Sequence, residues 1–154
     1  MNYWLFKSEP GSFSWDDLVT SEDSTTMWDG IRNYQARNLM RDRMQPGDPV
    51  LFYHSQTGAP GVVGIAEVVS ESYPDPTQFD PDSRYFDAKA SLDAPRWFLV
   101  DIRAVRKLER MVTLKELREI PDLQDMSLLQ RGNRLSIQPV REAEFLMIIQ
   151  LAAD

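Results

Sequence analysis

Two β-rich runs, residues 50–55 (VLFYHS) and 62–73 (VVGIAEVVSESY), flank Thr57-Gly58-Ala59-Pro60-Gly61. Branched and aromatic residues on either side of a Gly- and Pro-bearing turn are what neighbouring strands joined by a short loop require. A chain built around such a pair must organise a sheet. Residues 3–7 add an aromatic and aliphatic run stopped by Ser-Glu-Pro-Gly, which reads as a buried strand delivering Lys7, Ser8 and Glu9 at its exit. Residues 96–108 alternate apolar and charged side chains over a length that fits a long, half-exposed strand. Residues 134–138 supply one more short strand, making about five in all.

Helical signals interrupt these strands. Ser14 with Asp17 three residues on predicts an N-cap and a short helix. Residues 33–44 space Tyr34, Ala36, Leu39, Met40 and Met44 among charges as a helix would, and Pro46-Gly47-Asp48 ends it. Thr113 and Glu116 predict a capped helix to residue 120, residues 126–130 a helical turn, and residues 141–153 a C-terminal helix. Residues 74–81 hold three prolines and must be irregular. Strand and helix alternate too unevenly for a doubly wound parallel sheet. The expectation is an α+β fold: a small curved sheet or open barrel, with helices packed around its ends. A chain of 154 residues fits one domain, 1–154, with a core of its own.

Composition narrows the chemistry. There is no cysteine and only one histidine, so disulfides, thiolate nucleophiles and sulfur-ligated zinc are excluded and no metal or other cofactor is expected. No apolar stretch approaches the roughly 20 residues of a membrane span, and the N-terminus lacks the features of a signal peptide, which predicts a cytoplasmic protein that neither spans a membrane nor is exported. Acidic residues outnumber basic ones, 24 to 17, the opposite of a protein that tracks duplex DNA through many phosphates. Between residues 31 and 44, however, Arg32, Arg37, Arg41 and Arg43 face only Asp42, so a local basic surface survives.

Several constellations have a plain structural reading. Gly58, Gly61 and Gly64 enter a strand where a phosphate cradle needs a helix N-terminus, so turn service is expected of them. His54 and Ser55 are adjacent on a strand and point to opposite faces, which rules them out as a nucleophile and base in contact. Asp29, Asp80, Asp82 and Asp87 lack metal-loop spacing and read as solvated loop carboxylates. Trp4 and Trp97 lie in strand segments and are expected to be buried. Trp28 lies in a loop beside Gly30 and ahead of Arg32 and Asn33, where it can serve either as a base-stacking platform or as a core residue folded back.

Seven blocks of this chain, taken together, resemble a known family: YWLFKSEP at 3–10, WDGIRNYQARN at 28–38, GDPVLFYHS at 47–55, PGVVGIAEVV at 60–69, YPDPTQFDP at 73–81, PRWFLVDI at 95–102 and RLSIQPV at 134–140. In order and interval they are similar to the EVE domain family, in its single-domain bacterial form. The resemblance implies a PUA-like, curved, mostly antiparallel β-barrel with flanking helices, related to the YTH domains that read methylated adenine in RNA. It also implies a nucleic-acid-binding module, not an enzyme, that captures one modified nucleobase, a 5-substituted cytosine in DNA, with RNA as the other possible ligand. Pro49 within GDPVLFYHS departs from the pattern and predicts a strand that starts late or lies at an edge.

Reading one base requires that it leave the stack and enter a pocket, which needs few phosphate contacts and suits an acidic chain. On the resemblance, Lys7, Ser8, Glu9, Trp28 and Gly30 line that pocket, joined by Asn33, Tyr53, His54, Ser55 and Gln138. Arg32, Arg37 and Arg41 are expected to hold phosphates. The partner is a modified base in DNA or RNA, bound by a monomer. The alternative is a small hydrolase acting on modified nucleosides, as in the ASCH group of the same superfold, with Lys7, Ser8 and Glu67 as its working groups.

Overall fold

The computed structural model describes all of residues 1–154. Alternation along the first strand, β1 (Tyr3–Ser8), sends Trp4 and Phe6 into one core and Leu5 into another on the opposite face, and all three are fully buried. The chain then makes α1 (Trp15–Thr20), β2 (Thr25–Met27), α2 (Tyr34–Asp42), β3 (Pro49–His54) and β4 (Gly61–Val68). It continues through β5 (Tyr73–Pro74), β6 (Phe98–Leu99), β7 (Asp101–Thr113), α3 (Leu114–Arg118), β8 (Ile137–Val140) and α4 (Glu142–Ala153).

Six strands form a mixed sheet in the order β2-β7-β4-β3-β1-β8, and β5 and β6 form a separate two-stranded ribbon. Within the large sheet only β1 and β3 run parallel, pairing Trp4 with Val50 through Ser8 with His54. A parallel pair cannot be closed by a tight turn, and here α1, β2 and α2 form the crossover. Register shifts at Phe52/Tyr53 in the β3–β4 ladder, and at Val62/Gly64 and Ile65/Ala66 in the β4–β7 ladder, are bulges that bend the sheet. The result is the expected curved, mostly antiparallel fold, a half-barrel with helices packed on both faces of its sheet.

The two faces carry separate cores. Trp4, Phe6, Trp15, Trp28, Met40 and Phe52 fill the one covered by α1 and α2, and Leu5, Leu51, Tyr53, Leu117, Phe145 and Ile148 fill the one covered by α3 and α4. Ser14 caps α1 with a reciprocal capping box to Asp17, as the spacing predicted. Thr113 accepts from the Glu116 N–H, but the Glu116 carboxylate is drawn away to Arg110, so that box is half made and α3 ends at Arg118.

Two expectations are corrected. Pro49 opens β3 at once, and β3 lies between β4 and β1; the proline is tolerated because the first residue of a strand needs no ladder donor. Gly61 and Gly64 belong to β4 and do more than serve the turn. A Cβ at Gly64 would stand 2.6 Å from the Trp15 ring, and one at Gly61 2.5 Å from the Val112 carbonyl oxygen. These glycines let α1 and β7 close on the sheet.

Candidate nucleic-acid interface

A cavity of about 680 Å³ opens where β1 ends, walled by Lys7, Ser8, Glu9 and Phe13 on one side and by Trp28, Asp29, Gly30, Arg84 and Tyr85 on the other. This volume falls within the range of small-ligand sites. Lys7 is held there by its own N–H, which donates to Ser136 O (2.8 Å) and so extends the β1–β8 pairing past the end of β8. Ser136 also lines the cavity. The Ser8 hydroxyl donates to the Phe13 carbonyl, which folds the Ser-Glu-Pro-Gly turn back over the strand.

Trp28 resolves into both of its possible readings. Its backbone N–H donates to Val100 O (3.0 Å), and its ring meets Phe6, Phe52 and Phe13 at centroid distances of 5.3, 5.8 and 6.0 Å. Only 9% of the residue remains exposed, so the indole is a fixed wall of the cavity anchored in the core and not a free platform.

Gly30 follows with φ +81°, and a Cβ there would lie 2.5 Å from Tyr85 Cζ. Only glycine permits both that backbone and the approach of the tyrosine ring. The Gly30 N–H donates to Asp75 Oδ2 (2.9 Å). Asp75, 1% exposed, also accepts from the Thr77 N–H (2.8 Å) and from Arg32 Nη1 (3.1 Å). Burial pushes the Asp75 carboxyl up, but the hydrogen bonds from Thr77, Gly30 and Arg32 outweigh it and hold it below the ordinary range.

Arg32 completes this clamp. Its Nε and Nη2 donate to Tyr85 O (3.2 and 2.7 Å), Nη2 also to Thr77 Oγ1 (3.1 Å), and Nη1 to Ile31 O (3.0 Å) and Asp75. All five donors of the guanidinium are engaged, so Arg32 is a strut that fixes the Tyr85 wall and has none left for a phosphate. That corrects its expected role.

The remaining candidates fall in different places. Asn33 caps α2, accepting from the Ala36 N–H (2.9 Å), and is not in the cavity wall. Tyr53, 3% exposed, belongs to the core on the α3–α4 side, because strand parity turns it away from Phe52. His54 accepts from the Trp15 N–H through Nε2 (3.0 Å) and holds the start of α1. Ser55 donates its N–H to Ser8 O (2.9 Å) at the end of the parallel ladder. Gln138 is buried and donates to Leu135 O (2.8 Å), bracing the segment that carries Ser136, two residues nearer the cavity. Arg37 bonds Asn38 and Arg96 O, and Arg41 bonds Asp42; both lie on α2, outside the cavity.

Asp29, read above as a solvated carboxylate, is instead half-buried in the cavity wall. It makes no side-chain hydrogen bond or ion pair with another residue, and neither does Lys7. Burial pulls the Lys7 ammonium below its ordinary value. Burial, then repulsion from Asp75, pushes the Asp29 carboxyl up, against its own backbone N–H, Arg32 and Arg84. Two oppositely charged groups, partly stripped of water and left without partners, therefore share one cavity. Tyr85, Arg84 and Ser136 carried no sequence signal. Asp29 carried one, its place between Trp28 and Gly30.

No group of three or more side chains suited to a metal forms anywhere in the chain, and no helix is long and apolar enough to cross a membrane. The bent mixed sheet, flanking helices and strand-end cavity define a domain of the PUA-like class. The EVE domain model matches residues 2–151, and the chain belongs to the EVE domain family. It is 41% identical to mouse thymocyte nuclear protein 1 over 167 aligned residues, covering 97% of this chain and 73% of the mouse protein. The crystal structure of human THYN1 in complex with 5-methylcytosine-containing DNA superposes with a TM-score of 0.93 at 38% identity, over 100% of this chain and 99% of that one. A Pseudomonas syringae protein matches at TM-score 0.91 and 43% identity, over 97% and 99% of the two chains. An ASCH protein from Zymomonas mobilis, at TM-score 0.57 and 12% identity, shares the fold alone.

Proposed function

We propose that this chain, acting as a single EVE domain and as a monomer, binds nucleic acid by taking one extruded modified base, a 5-substituted cytosine in DNA, into the cavity between β1 and Tyr85. The observation that carries the reading is the unpartnered pair Lys7 and Asp29 beside the fixed indole of Trp28. Polar groups in a partly desolvated wall need partners, and the edge of a base supplies a donor and acceptors at once. The THYN1 complex with methylated DNA, alike over the whole chain, supports the choice of ligand. Exposed Arg41 and Arg43, with Arg37 beside them, offer the phosphate contacts that position a strand without reading it.

The hydrolase reading is weaker because its three groups do not meet: Glu67 is ion-paired with Arg103 and takes no part in the cavity wall that holds Lys7 and Ser8. The test is an affinity series on short DNA and RNA oligonucleotides that differ only in the 5-substituent of one cytosine. Tighter binding of substituted DNA is expected, and Lys7→Ala should remove the preference. Equal affinity across the series would refute the reading, and turnover of a modified nucleoside such as acetylcytidine would establish the alternative.

A further inference from the structure

Resting on the base-pocket reading, we infer that Asp29 selects the chemical class of base by accepting from an exocyclic amino group, so that the site admits aminopyrimidines and rejects their oxo counterparts. Two carboxylates border the cavity. Glu9 is exposed, and water can satisfy it from any side. Asp29 is half-buried, lies between the Trp28 wall and the Gly30–Tyr85 contact, and has no side-chain partner from any other residue. An ionised carboxylate has lone pairs only. It can accept from the amino group of a cytosine, as acidic side chains do when they read that base.

Opposite a thymine the same oxygens would meet the O4 carbonyl, also an acceptor, leaving two desolvated acceptors face to face. Lys7, a pure donor on the same cavity, suits the ring nitrogen and O2 of a pyrimidine and completes a donor and acceptor pattern that cytosine matches and thymine does not. Burial and the repulsion of Asp75 raise the Asp29 carboxyl, and its own backbone N–H, Arg32 and Arg84 pull it the other way.

The experiment uses the full chain and two single-stranded DNA oligonucleotides, identical except that one central position holds 5-methylcytosine or thymine. Both bases carry the 5-methyl group, and a single strand removes any difference in the cost of extrusion. Wild-type protein is expected to prefer the 5-methylcytosine strand. In Asp29→Asn, whose amide can donate as well as accept, the ratio of the two affinities should fall about tenfold, the factor that about 1.4 kcal/mol represents. The ratio is the readout, because losing one negative charge raises affinity for any oligonucleotide alike. Melting temperature, measured on the same samples, checks that the isosteric variant is folded.

An unchanged ratio in folded Asp29→Asn, or a collapse of the ratio in Glu9→Gln instead, would overturn the assignment. Wild-type protein that binds both strands equally, yet above a strand with an abasic position, would overturn selection while leaving the base pocket standing. Binding no better than to the abasic strand would overturn both.

Discussion

Replacing Trp28 by alanine is the most informative single change, because the structure places the indole in two roles with separable costs. Its ring packs on Phe6, Phe13 and Phe52 and is 91% removed from solvent, judged from its 9% exposure. Burying roughly 200 Å² of tryptophan at about 25 cal/mol per Å² gives about 5 kcal/mol as an upper bound. Truncations of buried large aromatics cost about 3–5 kcal/mol. For a chain of this size that lowers the melting temperature by roughly 6–20 °C. The wall lost from the cavity should cost a further factor of about 5 to 150 in affinity for a modified-base oligonucleotide, the equivalent of one stacking contact at about 1–3 kcal/mol. Melting and binding must be read on the same sample, with affinity corrected for the folded fraction. Trp28→Phe, which keeps an aromatic wall, should recover most of the stability and part of the binding. A melting temperature within about 2 °C of wild type would refute the core role, and unchanged affinity per folded molecule would refute the wall.

Arg32→Ala should lower stability by about 3–5 kcal/mol, because Asp75 is left buried without its cation, yet leave the salt dependence of oligonucleotide binding unchanged, since no guanidinium donor faces a phosphate. The slope of log affinity on log salt should be about 1 to 2 in magnitude and should fall in Arg37→Ala or Arg41→Ala, with 5-methyl discrimination kept; a shallower slope in Arg32→Ala would contradict the strut. His54 is held below its ordinary pKa by burial, with Asp16 opposing and Lys107 assisting. The unfolded chain therefore takes up its proton first, so the contribution of this residue is fully present above about pH 6.5 and is lost as the pH falls through the lower folded value. Acid titration of melting temperature should show that loss in wild type and a flatter profile in His54→Gln.

What could be read in advance was local. The Ser14 and Thr113 caps, the β3–β4 pair and the buried Trp4 and Trp97 all follow from signals within a few residues. The parallel pairing of β1 with β3 does not, since it joins segments more than forty residues apart through α1, β2 and α2. Pro49 misled because edge and first-residue positions leave the same mark in a sequence. The long strand sits at residues 101–113 and not 96–108, because Phe98 and Leu99 leave the main sheet for the β5–β6 ribbon.

The same division runs through the site. Lys7, Ser8 and Glu9 are consecutive at a strand end, and Trp28 and Gly30 flank one aspartate, so each half of the cavity was visible as a short string. Tyr53 was misplaced by parity, and Gln138 by two positions of register. Tyr85 stood in a stretch with no periodicity, and only the Asp75–Arg32 clamp brings it to Gly30.

That clamp also bears on how an acidic chain can hold a polyanion. The two arginines beside the cavity, Arg32 and Arg84, are turned to protein acceptors or to the Tyr85 ring and hydroxyl, while Lys7, Asp29 and Glu9 remain unpaired on the wall. With two carboxylates against Lys7 and Arg84, the wall carries no net charge, so it offers a phosphate no electrostatic advantage and leaves its hydrogen-bonding capacity for an uncharged ligand. On the proposed reading, the backbone of the nucleic acid must stay outside, against the exposed arginines of α2, and only a base can enter. The negative charge of the chain, −7 overall, is then part of the selection: it weakens attachment to strands that present no base to the cavity, and leaves affinity to depend on the contacts made inside it.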